Sequence, residues 1–520
     1  MKMKRSSLRN LTVFTGIACL LYVGIVFMVW TKWAAPSHLE SQRNPAEPLR
    51  LSENEYKNQV RTLPDSRPND CKLRTQPTQW FKVSIVIFIT NEEVAQIEST
   101  LLSVLANTPS NILHQILLVS HRTSVTTDKY LDKAAADHKS VQVVQLKQDG
   151  ELTFKSKIVA TLTVVTGDMI VFMEADMECN RMWIEPIVSH LADHPQTVVI
   201  PVLDNIDKLS GKYIGTVKPV KTGFSWDLQF MHYEPTFTEL AHAESEADPL
   251  QTPVLTGNVF ATTKENIVSW KPVPFEGSLE LSFYLWLCGH EIILLPCSRV
   301  GKYSAYSVSS LPVQQHVNKV ADKWLGQYKK YFYAATDYNN PSTSYTDVSM
   351  EINDLKQIKK CHDFDWYMNT VVLDLFKPVG DLAAFGTLKS QPSSMCFHVE
   401  VNQNLEGLRG QCSPARETGI FQLDADGLLR IHDRCVTGET HGYVTMNDCN
   451  PDDKAQTWTI TSKKQIMLKS GQYCLMHNTD PDRERKDRQV LMAQVCRDDE
   501  SFQQFVFSNF FDLKKLKSSR

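Results

Sequence analysis

Gly167-Asp168-Met169-Ile170-Val171-Phe172-Met173-Glu174-Ala175-Asp176-Met177-Glu178 carries an apolar run straight into a cluster of carboxylates. Met169 to Met173 is a short continuous hydrophobic segment of the kind buried on both faces of a sheet, and ligands of open α/β sheets bind at the carboxyl ends of such strands. Residues i and i+2 of an extended chain point the same way. Glu174 and Asp176 can therefore present two carboxylates to one point, as a hard divalent cation holding a diphosphate requires. A solvated acidic loop has the same pattern, so the surrounding chain has to decide between the two readings.

Upstream, strands and helices alternate. Val83 to Ile89 reads as an apolar strand, Glu93 to Leu105 has helical spacing at Ile97, Leu101, Leu102 and Leu105, and Ile116 to Val119 is a second strand. Tyr130 to His138 reads as a short helix, Val141 to Leu146 as a strand and Ile158 to Val165 as a helix leading into Met169. The order βαβαβαβ predicts a mainly parallel, doubly wound sheet, a nucleotide-binding fold that does not by itself choose the nucleotide.

Toward the N-terminus, Leu11 to Trp30 is a run of 20 residues without a charge, long enough to cross a hydrocarbon core of about 30 Å. Lys2, Lys4, Arg5 and Arg9 precede it and place the N-terminus in the cytoplasm and the remaining chain in the lumen. The run exceeds a usual signal-peptide core and has no small-residue cleavage site, so it reads as a signal anchor. Thr31 to about Trp80 is polar and rich in proline, a stem. The sequon Asn10-Leu11-Thr12 is the only one without proline and sits at the cytoplasmic edge, so no ordinary N-glycan is expected on the lumenal part. A net charge of −4 offers no basic field for nucleic acid.

About 440 residues follow the stem, too many for one core. Of 12 cysteines, 11 lie beyond the span, a disulfide framework in an oxidising compartment. After about Ser390 a threefold repeat begins: Cys396-Phe397-His398, Cys435-Val436-Thr437 and Cys474-Leu475-Met476 are spaced by 39 residues, each followed by a second cysteine at Cys412, Cys449 and Cys496. Gln456-Thr457-Trp458 and Gln503-Gln504-Phe505 close the second and third units, while the first ends less clearly near Phe421. Three short β units sharing a core describe a β-trefoil.

Anchor, stem, nucleotide-sugar fold and trefoil together resemble the polypeptide N-acetylgalactosaminyltransferases. The matching segments are Val83-Ser84-Ile85-Val86-Ile87 with Asn91-Glu92; Thr222 to Phe230; Thr252-Pro253 with Gly257; Leu279-Glu280-Leu281-Ser282-Phe283 with Trp286 and Cys288-Gly289; Cys297-Ser298-Arg299-Val300-Gly301; and Asn318 through Trp324 to Phe332-Tyr333. The resemblance implies a cytoplasmic tail (1–10), a transmembrane anchor (11–30), a stem (31–80), a GT-A-like glycosyltransferase domain (81–390) and a ricin-type lectin-like trefoil (391–520). It further implies a single-pass type II protein of the Golgi membrane, and retaining transfer of N-acetylgalactosamine (GalNAc) from its UDP-sugar to Ser or Thr of secretory polypeptides, with Mn²⁺ as cofactor. Disulfides Cys71–Cys297, Cys288–Cys361, Cys396–Cys412, Cys435–Cys449 and Cys474–Cys496 follow from it too. They leave Cys179 unpaired, so that Cys179→Ser is expected to be nearly neutral.

Carried over position by position, the resemblance places metal ligands at Glu174, Asp176 and Lys302, catalytic carboxylates at Glu276 and Glu280, and substrate contacts at His121, Lys155, Lys157, Trp226 and Gly257. Here the chain departs from the family. An Asp-x-His pair and a later His become Glu174, Asp176 and Lys302, and an ammonium has no lone pair for a metal. The acidic turn before the uridine becomes Val119-Ser120-His121, the Arg-x-Arg helix start Ser156-Lys157-Ile158, and the Trp-Gly-Gly-Glu-Asn segment Pro274-Phe275-Glu276-Gly277-Ser278. These losses together point to an inactive or weakly active member. In the alternative, an active transferase, Lys302 replaces the metal with help from Lys155 or Lys157. In the trefoil, the acid that binds N-acetylgalactosamine becomes His398, Thr437 and Met476, so sugar recognition is expected to be weak.

Overall fold

The computed structural model describes residues 39–41, 60–72, 81–147, 152–235, 239–240, 243–273, 275–303, 317–336, 361–372, 381–399, 405–408, 419–431, 434–438, 442–479 and 489–511. The expected span at 11–30 and the sequon at Asn10 lie outside them. Among the described residues no helix is long and apolar enough to cross a membrane.

The first unit runs β1 (Val83–Ile89), α1 (Val94–Asn107), β2 (Leu113–Ser120), α2 (Val125–Asp137), β3 (Val141–Leu146), α3 (Phe154–Thr161), β4 (Met169–Glu174), β5 (Met177–Cys179), α4 (Glu185–Asp193), β6 (Val198–Ile206), β7 (Val259–Thr263), α5 (Ser278–Leu287) and β8 (Ile292–Tyr303). Two helices begin earlier than apolar spacing suggests. Ser124 caps α2 by accepting from the Thr127 N–H at 3.1 Å, and Thr153 caps α3 by accepting from the Ser156 N–H at 3.1 Å. Such a cap satisfies a donor left orphaned at the helix start, and it sets the boundary where the hydrophobic pattern is silent.

These strands lie in the order β3-β2-β1-β4-β7-β6-β8, with Leu39–Ser41 paired outside β3 and Leu250–Gln251 outside β8. β3, β2, β1 and β4 are mutually parallel, as the alternation predicts, whereas β7 lies antiparallel between β4 and β6. Alternate side chains feed two core layers: Val86 and Phe88 of β1 enter one, Val83, Ile85, Ile87 and Ile89 the other. The chain leaves β1 toward β2 and returns on its other side as β4, so the crevice of a doubly wound sheet opens beyond the ends of β1 and β4.

The second unit is all β. Phe397, Phe421, Trp458, Leu475 and Phe505 share its core, and the repeats are held by one recurring device. In the second, Gln456 Nε2 donates to the Asp448 carbonyl at 3.0 Å while its Oε1 accepts from the Asn450 N–H at 2.7 Å. In the third, Gln503 Nε2 donates to the Val495 carbonyl at 2.8 Å and its Oε1 accepts from the Arg497 N–H at 2.9 Å. Each glutamine thus brackets the second cysteine of its repeat, which explains why the Gln and Cys positions recur together.

Disulfides join Cys71 to Cys297, Cys288 to Cys361, Cys435 to Cys449 and Cys474 to Cys496. Cys396 is disulfide-bonded, while Cys412 lies outside the described residues. Cys179 is free and buried. The two units meet through apolar packing: Leu382, Phe385, Ile420 and Phe511 belong to the same core layer as Trp226 and Tyr331, and Asn509 Oδ1 accepts from the Trp226 N–H at 3.0 Å.

Candidate functional site

Glu174 ends β4 in register with Phe88 of β1, at the mouth of the crevice. The chain then turns at Ala175, and Thr100 of α1 fixes the turn, its hydroxyl donating to the Ala175 carbonyl at 2.8 Å and accepting from the Met177 N–H at 3.0 Å. β5 next pairs antiparallel with β8, Met177 opposite Lys302, and the Tyr303 N–H donates to the Asp176 carbonyl at 3.2 Å. A buried Arg299 Nη1–Asp204 Oδ1 pair at 3.2 Å ties β8 to β6.

This register brings the three sequence-predicted metal positions to one point. Lys302 Nζ donates to Glu174 Oε2 at 2.5 Å and to Asp176 Oδ1 and Oδ2 at 2.7 and 2.8 Å. Lys302 is 8% exposed. Burial pulls its pKa down, but the two carboxylates outweigh burial and the net shift is upward, so the side chain is an ammonium throughout the physiological range. An ammonium has three donors and no acceptor, and all three are taken by the carboxylates. A divalent cation does not fit this donor set: its ligand positions face a resident positive charge, and among the described residues no group of three or more His, Cys, Asp or Glu side chains could hold a metal.

The other sequence-predicted residues divide between crevice and core. At the start of α3, the Lys155 N–H donates to the Glu276 carbonyl at 3.3 Å and Lys155 Nζ donates to the Val273 carbonyl at 2.5 Å, with the ammonium 5.4 Å from the Phe275 ring centre. Lys157 Nζ lies 5.9 Å from the Phe88 ring centre. His121 follows β2 and is half-buried. Gly257 has φ +88°, and a Cβ there would meet Phe154 Cε2 at 2.9 Å, so only glycine accommodates both the backbone and the ring. Phe154 in turn lies 5.9 Å from Phe260, which stacks on Phe172 at 5.0 Å. The crevice is thus bordered by aromatic rings, with a lysine turned onto its own wall.

Glu276 is exposed. Glu280 is 6% exposed; its Oε2 accepts from the Glu276 N–H at 2.7 Å and its Oε1 from Trp324 Nε1 at 3.0 Å. It lies in the first turn of α5, where a carboxylate satisfies orphan donors and the helix dipole. Trp226 is 2% exposed in the core, its ring 5.1 Å from Tyr331 and 6.0 Å from Tyr328. Sequence reasoning missed Thr100 and Phe154. The capping Thr153 beside Phe154 was a readable signal; Thr100 gave none, because its contact with the acidic turn is purely tertiary.

In the trefoil, His398 and Thr437 are buried and Met476 is half-buried, and the Thr437 hydroxyl accepts from Gln456 Nε2 at 3.1 Å.

Residues 84–242 match Glycosyl transferase family 2, and residues 384–505 match the ricin-type beta-trefoil lectin domain. The chain is 28% identical over 476 residues to polypeptide N-acetylgalactosaminyltransferase 11 of Xenopus tropicalis, covering 86% of this chain and 72% of that one. It is 28% identical over 475 residues to polypeptide N-acetylgalactosaminyltransferase 4 of Mus musculus, covering 82% and 79%. A crystal structure of GalNAc-T7 with UDP, GalNAc and Mn²⁺ shares the fold with a TM-score of 0.55 at 18% identity, covering 92% of this chain and 97% of that one.

Proposed function

Because the chain belongs to the polypeptide N-acetylgalactosaminyltransferase family, with its glycosyltransferase unit followed by a ricin-type trefoil, we propose that it is a Golgi-anchored member whose Mn²⁺-dependent sugar transfer is silenced. The uncharged run Leu11–Trp30 behind a basic N-terminus supports the type II placement. Family resemblance supplies the ligands on which the fold was built, UDP-N-acetylgalactosamine and Ser/Thr-containing secretory polypeptides.

The observation that carries the reading is the Lys302 ammonium, 2.5 Å from Glu174 and 2.7 Å from Asp176. A divalent cation between two carboxylates keeps open coordination positions for a diphosphate, whereas an ammonium has none; with both carboxylates ionised the cluster carries −1, and burial, which raises the Glu174 pKa, brings it at most to neutrality. A diphosphate brought to that cluster meets no net positive charge, and in a partly buried site solvent does not supply one. Stabilising a departing diphosphate takes preorganised positive charge, each such contact being worth about 2.7–4 kcal/mol of barrier. Lys302 spends its three donors on the carboxylates, and Lys155 spends its charge on the Val273 carbonyl.

A second reading, a metal-free transferase using Lys302 in place of the ion, draws on the positive charge retained at that position. Calorimetry of the lumenal chain with UDP, in Mn²⁺ and in a chelator, together with a transfer assay from UDP-N-acetylgalactosamine to Ser/Thr peptides, decides the matter. Silencing predicts no Mn²⁺-dependent heat and no transfer. Chelator-insensitive UDP binding with transfer would favour the second reading, and micromolar, strictly Mn²⁺-dependent binding would sink both.

A further inference from the structure

A pair of imidazoles stands apart from the acidic centre. α4 buries Ile187, Val188 and Leu191 in the second core layer and presents His190 one turn before His194. Residues at i and i+4 lie above one another on one helix face, and here the ring centres are 4.9 Å apart, tilted by 41°. His190 Nε2 is buried and has no hydrogen-bond partner among the described residues, a condition that native structures rarely leave unexplained. The backbone holds its neighbour in place: the His194 N–H donates to the His190 carbonyl at 2.8 Å, and the His194 carbonyl accepts from the Thr197 N–H at 3.1 Å and from its hydroxyl at 2.8 Å. Both histidines line a cavity of about 190 Å³ whose far wall includes Arg67 and the cysteines Cys71 and Cys297. Arg67 is turned onto Asp65, its Nε 2.9 Å from Oδ1.

The spacing of the rings fits chelation. With a metal–nitrogen bond of about 2.0–2.1 Å, each ring centre sits about 3.2 Å from the ion, so a bite between right-angled and tetrahedral puts two ring centres roughly 4.5–5.2 Å apart. We propose that His190 and His194 form a two-imidazole site for a borderline transition-metal ion of the Zn²⁺ or Cu²⁺ class, with water completing the coordination. Imidazole pairs favour such ions over Mn²⁺, which stands at the weak end of the affinity order and prefers oxygen ligands. The site is therefore chemically distinct from the carboxylate centre at Glu174 and Asp176. An ion bound only by the folded chain also stabilises it by mass action.

The test is a Zn²⁺ titration of the full chain in detergent by calorimetry, repeated on His190→Gln, His194→Gln and Glu174→Gln, with melting followed with and without Zn²⁺. The expected result is one saturable ion per chain and a Zn²⁺-induced rise in melting temperature. Both histidine variants should weaken binding at least tenfold and lose the rise, while Glu174→Gln keeps both. Because His194 is exposed, its glutamine variant keeps the fold testable even where His190→Gln does not. Wild-type affinity in His194→Gln, loss of binding in Glu174→Gln, or only non-saturating uptake, an adventitious ion only, would overturn the proposal.

Discussion

Lys302→Met removes the ammonium while keeping most of the side-chain volume, and it leaves Glu174 and Asp176 facing one another without a counter-charge. Breaking a buried pair by deleting one partner costs about 3–5 kcal/mol. Here the Glu174 side chain is 40% exposed and that of Asp176 is 19% exposed, so water recovers part of the loss and about 2–3 kcal/mol is expected. At about 2–4 °C per kcal/mol for a domain of 150–250 residues, melting should fall by about 4–12 °C at pH 7.5. The sign of the pH dependence follows from the upward shift of Lys302. Its contribution is fully present below its ordinary pKa of 10.5 and is lost as pH rises through the higher folded value. On the acid side, the gap between wild type and variant closes as the carboxylates protonate, since a neutral acid neither needs the ammonium nor repels its neighbour. Differential scanning calorimetry between pH 4 and 9 reads this directly. A variant melting within about 1 °C of wild type at pH 7.5, or a gap that widens on acidification, would refute the reasoning. In the companion variant Lys302→His a nitrogen ligand returns, and Mn²⁺ binding should appear by calorimetry without transferase activity, because the Lys155 ammonium still donates to the Val273 carbonyl.

Cys297→Ser opens a loop of 226 residues, worth roughly 5 kcal/mol in the chain-entropy description, and should sharply reduce secretion of residues 31–520 expressed behind a cleavable signal peptide, read by immunoblot of medium against lysate. Cys179 is fully buried, its N–H donating to Ser103 Oγ at 3.0 Å, and burial pushes its thiol pKa up; this revises the expectation of a neutral serine. Cys179→Ser should cost about 1–3 kcal/mol for a hydroxyl placed in an apolar core, measured as a shift in denaturation midpoint, and in the unmodified chain the buried Cys179 thiol should resist thiol reagents until the protein unfolds. Trp226→Ala should destabilise by about 3–5 kcal/mol instead of altering acceptor binding, and peptide titration of the folded fraction separates the two. A glycan array probed with residues 31–520 should show no preference for N-acetylgalactosamine, because buried His398 and Thr437 and half-buried Met476 replace the expected acid.

What was legible in the sequence was whatever rests on local pattern. Strands buried on both faces announce themselves as predominantly apolar runs, and Val83–Ile89 and Met169–Met173 lie where such runs lie, while Val141–Leu146 was legible despite its half-buried Gln142 and Gln145. The threefold spacing of cysteines and closing Gln-x-aromatic triplets was equally plain, because each glutamine bonds on both sides of its cysteine and must travel with it. Helix starts were legible only as caps: Ser124 and Thr153 set α2 and α3, and apolar spacing alone misplaced both. The antiparallel β7 left no mark, since Val259–Thr263 is buried along its whole length and its composition is the same whichever way it runs.

The acidic centre was half legible. Glu174 and Asp176 could be paired from their i, i+2 spacing, but nothing in local pattern says that Lys302, 126 residues beyond Asp176, meets them. That proximity is made by β5 pairing with β8, and resemblance alone could point to it. Role was less legible than position. Glu280 and Trp226 fall in matching segments, yet one accepts hydrogen bonds at a helix start and the other fills the core, and a side chain's partners are decided by tertiary packing that a motif does not encode. The same holds for Lys155: its charge suggests a diphosphate contact, whereas the Val273 carbonyl takes its proton donor. A positive residue near an expected anion site contributes to binding only while its donors remain available: Lys302 and Lys155 have theirs engaged by carboxylates and by the Val273 carbonyl, whereas the Lys157 ammonium lies over the Phe88 ring.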